Sequence, residues 1–125
     1  MIARRMPDFH PEMVDGFIAS SNRMTGLPEF LGIRVTNIEA GRLTAEMTVD
    51  PKLLTSFGNM HGGVHSALCD HVLGCVCYPH MEKGQWAATT EFKINLLAPV
   101  STGAVRAHAE ILSMSKQTAV VRIEM

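Results

Sequence analysis

The stretch "GNMHGGVHSALCDHVLGCV", residues 58–76, decides how the rest of the chain is read. Paired glycines, Gly62 and Gly63, stand directly before a long, nearly all-apolar segment. Glycine permits a tight approach of backbone to a neighbour, so the pair reads as a loop meeting a helix start. The segment predicts one long helix over 62–81. Val64, Ala67, Leu68, Val72, Leu73, Cys75 and Val76 cover more than one helical face, which predicts burial on most sides. Pro79 and Gly84 supply stop signals.

Outward from this helix the period changes. On the N-terminal side, "HPEMVDGFIASS" (10–21) carries Met13, Val14, Phe17 and Ile18 at helical spacing, with Pro11 near a helix start. "GLPEFLG" (26–32) reads as a turn with about one helical turn. From Ile33 the apolar positions alternate, "EAGR" (39–42) is a tight turn, and "LTAEMTV" (43–49) alternates again, which is a hairpin. On the C-terminal side three runs alternate: "ATTEFKINLLA" (88–98), "AVRAHAEIL" (104–112) and "TAVVRIEM" (118–125). The expected class is α+β, an antiparallel sheet wrapped around one long central helix. Residues 1–125 are expected to form a single domain, with 1–30 as an N-terminal helical segment.

Composition excludes several classes. The chain has 125 residues, 46% hydrophobic and 18% charged, an ordinary globular balance. The formal net charge is −1 and no basic stripe occurs, so no nucleic-acid partner is expected. No run reaches the length of a membrane span, and no membrane partner is expected. "MIARRM" has two arginines but no apolar stretch after them, unlike a signal peptide. Cys69, Cys75 and Cys77 are odd in number and clustered, which suits reduced thiols in a cytoplasmic protein.

Asp70 is the residue that demands an explanation. A carboxylate in an apolar helix is costly unless paired or hydrogen-bonded, and aspartate is a mediocre helix former. One reading places it on a solvated edge or beside His71. The other makes it a base or nucleophile in a dry cleft, its basicity tuned by loss of water. The glycines supply a second group: free N–H donors at a helix start could hold a polarised carbonyl oxygen. Gly62 and Asp70 are eight residues apart, about 12 Å along one helix axis. A single carbonyl needs both groups within about 3–3.5 Å. One chain cannot supply both, so their joint use predicts a homodimer of antiparallel helices with two equivalent interface sites.

His61-Gly62-Gly63 with Asp70 nine positions after the histidine, Gly58 three before it, and the flanking "LGIRV" and "NLLAPVSTG" resemble the hotdog-fold acyl-CoA thioesterases. The likeness runs from about Pro28 to Met125, and lies with the phenylacetyl-CoA and 4-hydroxybenzoyl-CoA thioesterase group. The resemblance implies a hotdog fold and hydrolysis of an aryl or medium-chain acyl-CoA to free acid and coenzyme A, with no cofactor and no metal. It implies that Asp70 attacks the thioester or activates water, that the Gly62 N–H binds the thioester oxygen, and that Thr89 positions the water or carboxylate. His61 and Gly63 are implied to contact substrate. Thr55 occupies the place, six residues before the histidine, where the family often has Asn or Gln. Homotetramers, as dimers of dimers, also fit the family. The family usually carries one strand more than the runs legible before Met125.

Other patterns are weaker. His61, His65 and Cys69 fall at i, i+4 and i+8, but no HExxH accompanies them and packing explains them better than a metal. Nothing marks one cysteine as a nucleophile. Phe57, Leu73, Trp86 and Phe92 could line an acyl pocket, and Lys93, Arg106 and Lys116 could meet coenzyme A phosphates. Two alternatives remain at this stage: a non-catalytic acyl-CoA-binding hotdog protein, and a hotdog dehydratase or hydratase using His65 or His71.

Overall fold

The computed structural model describes residues 6–125; the two N-terminal arginines, Arg4 and Arg5, lie outside the described residues. A 3-10 turn at Pro11–Met13 leads into helix α1 (Val14–Ser21), and the one-turn helix α2 (Leu27–Leu31) follows. Gly32 ends α2 at φ +72°, a left-handed cap that suits glycine. Strands β1 (Arg34–Glu39) and β2 (Arg42–Thr48) form the expected hairpin, turning on Ala40-Gly41 with Gly41 at φ +72°. Helix α3 (Gly62–Cys75) comes next, then a 3-10 turn at Tyr78–His80. Strands β3 (Ala104–Met114) and β4 (Ala119–Glu124) complete an antiparallel sheet in the order β1-β2-β3-β4.

Period-two alternation explains which side of the sheet is dry. Val35 and Ile38, then Leu43, Ala45 and Met47, then Val105, Ala107, Ala109 and Ile111 are buried. Leu68, Val72, Cys75 and Val76 of α3 join them in one core. Ala45 and Ala107 are direct partners in the β2–β3 ladder and fully buried. Two small side chains in the middle of the sheet let the helix approach closely. The opposite face is solvated and carries charge in register: Arg42, Glu110 and Arg122 sit opposite one another on three successive strands. Glu110 accepts from Arg42 at 3.3 Å and from Arg122 at 2.7 Å.

Two connections pin the N-terminal segment. Asn22, capping α1, donates its amide to the Val35 carbonyl (2.9 Å) and accepts from the Val35 N–H (2.8 Å). The buried His80 ring accepts from the Gly41 N–H (2.9 Å) at Nε2 and donates from Nδ1 to the Pro7 carbonyl (2.9 Å), with Phe9 packed on it. A carbonyl only accepts and an N–H only donates, so this ring is neutral with its proton on Nδ1.

Three expectations fail. The helix stops at Cys75, not at residue 81, and is not dry on most sides. One face packs on the sheet, while Gly63, Asp70 and their neighbours form an open face. The wide apolar stripe that predicted all-round burial includes Val64, Ala67 and Leu73, which are only partly covered in a single chain. The run 88–98 is not a strand either. Its alternation is real, but a strand is defined by a hydrogen-bonded partner, and none of the four strands pairs with it. It leaves Phe92, Leu96 and Leu97 exposed.

Candidate active site

His61 begins α3. Its backbone is extended (φ −61°, ψ 136°), and its Nδ1 accepts from the Gly63 N–H at 2.8 Å. The imidazole thus stands in for the usual Ser, Thr, Asn or Asp cap. This consumes the Gly63 donor. The Val64 N–H is also occupied, by the His61 carbonyl at 2.9 Å. The Gly62 N–H has no acceptor among the described residues, so it is the free donor at the positive end of the helix. Leu96 lies over it: a Cβ on Gly62 would sit 2.7 Å from Leu96 Cδ1.

Two turns further, Asp70 is exposed and has no ion-pair partner among the described residues. It is thus unpaired but not yet dry; the cleft expected around it is not closed by this chain alone. It lines a groove of about 890 Å³ with Gly63, Ser66, His71, Thr89 and Thr90. One wall is the open face of α3 and the other is the unpaired run from Ala87 to Phe92. Burial keeps the His71 pKa below its ordinary value, against the opposing pull of the Asp70 charge. The His71 Nε2 sits 3.7 Å from Cys75 Sγ.

The cysteines have no nucleophilic character. Burial pushes the Cys75 thiol up to about 11. Burial also raises Cys77, and burial together with the Asp70 charge raises Cys69. All three stay protonated near neutral pH.

Of the residues singled out in the sequence, Gly63, Asp70 and Thr89 share the groove. His61, Gly62 and Thr55 do not line it. Thr55 organises its own loop: its hydroxyl donates to Asn59 Oδ1 (3.1 Å) and accepts from the Phe57 N–H (3.2 Å). Phe57 is 93% exposed and lines no cavity near Asp70. Arg106 is held by Glu46 at 3.3 Å on the solvated sheet face. Sequence reading missed Ser66 and Tyr78 in the groove wall. The signal was there: Gly63, Ser66, Ala67, Asp70 and Gly74 recur at helical spacing as a stripe of small and polar residues.

Residues 57–125 match the family model described as the thioesterase superfamily. The chain belongs to the thioesterase superfamily. It is 38% identical over 88 residues to the proofreading thioesterase EntH of Klebsiella pneumoniae, covering 70% of this chain and 64% of that protein, just under two thirds of its length. It is 31% identical over 100 residues to the 1,4-dihydroxy-2-naphthoyl-CoA hydrolase of Listeria monocytogenes, covering 80% and 81% of the two chains. Among solved structures it is similar to the Escherichia coli PaaI protein of the phenylacetic acid degradation operon. There the TM-score is 0.70 at 28% identity, over 77% of this chain and 68% of that one. A thioesterase family protein from Silicibacter pomeroyi gives 0.80 at 25% identity, over 87% and 80%. The thioesterase fold shared with these neighbours is the hotdog arrangement, α3 laid on an antiparallel sheet. Membership in this superfamily supports acyl-CoA thioester hydrolysis as the reaction class.

Proposed function

We propose that this chain hydrolyses acyl-CoA thioesters at sites shared between two copies. One observation carries the reading: Asp70 is an unpaired carboxylate on an open helix face, and the only uncommitted N–H of the α3 start belongs to Gly62, about 12 Å away along the same helix. Neither group has a partner among the described residues. A second copy packed antiparallel on this face removes water from Asp70 and brings its own Gly62 to the same carbonyl. The exposed Phe92, Leu96 and Leu97 flank that face and gain cover in such a homodimer.

In the reaction, the Asp70 carboxylate attacks the thioester carbon or takes a proton from the attacking water. The partner copy's Gly62 N–H holds the oxygen as it gains negative charge. The carbon–sulfur bond breaks and coenzyme A leaves as thiolate and takes up a proton; when water is the attacking group the free acid results directly, and when Asp70 attacks, water then hydrolyses the Asp70–acyl anhydride, releasing the acid and restoring the carboxylate. Thr89, in the wall opposite Asp70, orients the water or the carboxylate. His61 holds the loop and Gly63 as a cap, a positioning role. The whole of residues 1–125 works as one domain. Three buried free thiols fit a reducing compartment such as the cytoplasm, and no helix among the described residues is long and apolar enough to cross a membrane.

Thiol release from a panel of aryl and alkyl acyl-CoAs, with wild type beside Asp70→Asn, tests this. At least one thioester should be turned over, and Asp70→Asn should lose activity by orders of magnitude while still assembling. Binding without thiol release in the wild type would move the chain to the acyl-CoA-binding class.

A further inference from the structure

The arginines among the described residues divide by their partners. Arg42 and Arg122 hold Glu110, and Arg106 holds Glu46, all on the solvated sheet face. Arg23 and Arg34 have no carboxylate within ion-pair distance among the described residues. Arg34 stands directly opposite Glu46 in the β1–β2 ladder, yet Glu46 goes to Arg106 instead. Both unpaired arginines line one small cavity of about 210 Å³, where the end of α1, helix α2 and the start of β1 meet. Asn22 is bonded both ways to Val35, so Arg23 and Arg34, the chain neighbours of that pair, are held at a fixed spacing. The Ile33 N–H donates to the Pro28 carbonyl at 3.0 Å and ties α2 to the same corner. Ser21 lines the cavity as well. It is 3% exposed, and its hydroxyl has no hydrogen-bond partner among the described residues. Such a hydroxyl can donate to an acceptor seated in the cavity. Glu29 is the only carboxylate of the wall and lies beyond ion-pair distance of both arginines.

We propose that Arg23 and Arg34 bind phosphate groups of coenzyme A and anchor the substrate by its charged end. The inference rests on the thioesterase reading above. Two guanidinium groups with open donors, beside a hydroxyl, are the chemistry that recognises phosphate oxygens. The cavity is smaller than the about 300–1,000 Å³ of a whole small-molecule site, so it takes a phosphate or diphosphate group and not a complete ligand. Met24 lines this cavity and the Asp70 groove alike, so a phosphate seated here belongs to a molecule whose other end reaches Asp70. Coenzyme A fits that description: its diphosphate stands one pantetheine arm from the thioester sulfur. The phosphates are the same before and during the reaction, so this contact lowers KM and leaves kcat alone. Arg23 also follows the end of α1, where a cation offsets the helix dipole. That role changes stability and does not distinguish substrates with phosphates from substrates without them.

The test compares wild type, Arg23→Gln, Arg34→Gln and the double variant, with Arg42→Gln as a control for lost charge. Each is given the same acyl group on coenzyme A and on pantetheine, which carries no phosphate. Calorimetry reads binding of adenosine 3′,5′-bisphosphate and of pyrophosphate. The wild type should favour acyl-CoA over acyl-pantetheine and bind the bisphosphate. Each single variant should raise KM for acyl-CoA about tenfold and leave kcat within about twofold. The double variant should lose the preference for acyl-CoA and the bisphosphate affinity, while its kinetics on acyl-pantetheine and those of Arg42→Gln stay at the wild-type level. An unchanged KM for acyl-CoA in the double variant, or a KM for acyl-pantetheine that rises in parallel, overturns the inference. Arginine-dependent binding of pyrophosphate with no change in the acyl-CoA KM makes this a site for free phosphates and equally overturns the assignment to coenzyme A. A wild type that binds coenzyme A and the bisphosphate through these arginines but releases no thiol refutes the hydrolase reading and leaves the anchor standing.

Discussion

Replacing Gly62 by proline isolates one hydrogen atom. Gly62 is the first residue of α3, the position where proline is best tolerated because its missing N–H has no helical partner. His61 before it is already extended, at φ −61° and ψ 136°, the conformation a following proline demands. A Cβ there would meet Leu96 Cδ1 at 2.7 Å, the end of a flexible side chain 56% exposed to solvent. The helix and its His61 cap should therefore survive. What disappears is the free N–H assigned to the thioester oxygen. Loss of one such donor costs about 10²–10³ in kcat, or roughly 2.7–4 kcal/mol. The assay is steady-state thiol release on the best acyl-CoA, for wild type, Gly62→Ala and Gly62→Pro. Alanine keeps the N–H and adds the same Cβ, so it should retain most of the activity, while proline should lose kcat with a much smaller change in KM. If Gly62→Pro stays within threefold of wild type, or alanine falls as far as proline, the N–H is not the oxyanion donor and the glycine serves only the contact with Leu96.

Two further outcomes follow from the geometry. His80→Ala removes an acceptor for the Gly41 N–H and a donor for Pro7, so thermal unfolding should report a loss of about 2–4 kcal/mol; a loss below about 0.5 kcal/mol would show that the ring does not fasten the N-terminal segment. His65 and His71 both have pKa values lowered by burial from the ordinary 6.5. The unfolded chain therefore binds more protons as pH falls below about 6.5, and the stability present above that pH is lost towards the lower folded values. Urea midpoints should drop between pH 7.5 and pH 5.5, and the drop should shrink in a His65→Asn/His71→Asn variant; an equal drop in that variant would place the effect elsewhere. At still lower pH Glu110 adds to the same trend, since its bonds to Arg42 and Arg122 hold it below the ordinary carboxylate value and its contribution fades as it protonates.

Local signals were legible where a residue's surroundings are supplied by its own neighbours in sequence. The hairpin around Gly41 and the start of α3 at His61-Gly62-Gly63 depend on turn chemistry and capping within a few residues, and both were readable. The burial of Ala45 and Ala107 followed from alternation alone. The run 88–98 was misread because alternation reports which faces differ, not which chain pairs with the backbone. For Asp70 the apolar flanking residues leave two readings open, a solvated edge and a dry cleft. In the fold, Cys69 and Val72 turn inward while Asp70 stands on the open face, and sequence cannot say where a second molecule will lie. Thr55 shows a different limit. Whether a hydroxyl is free depends on loop geometry, and here Asn59 and Phe57 occupy it.

The central claim is that Asp70 and Gly62 of one site come from different chains. Mixing Asp70→Asn with Gly62→Pro subunits by co-refolding tests it most directly. Each parent alone should be nearly inactive. Random 1:1 pairing makes half of the dimers mixed, and each of these rebuilds one of its two sites with both groups intact, so activity should return to about one quarter of wild type. Activity that remains at the average of the two parents, in material shown to contain mixed dimers, would mean that the two groups do not meet across an interface.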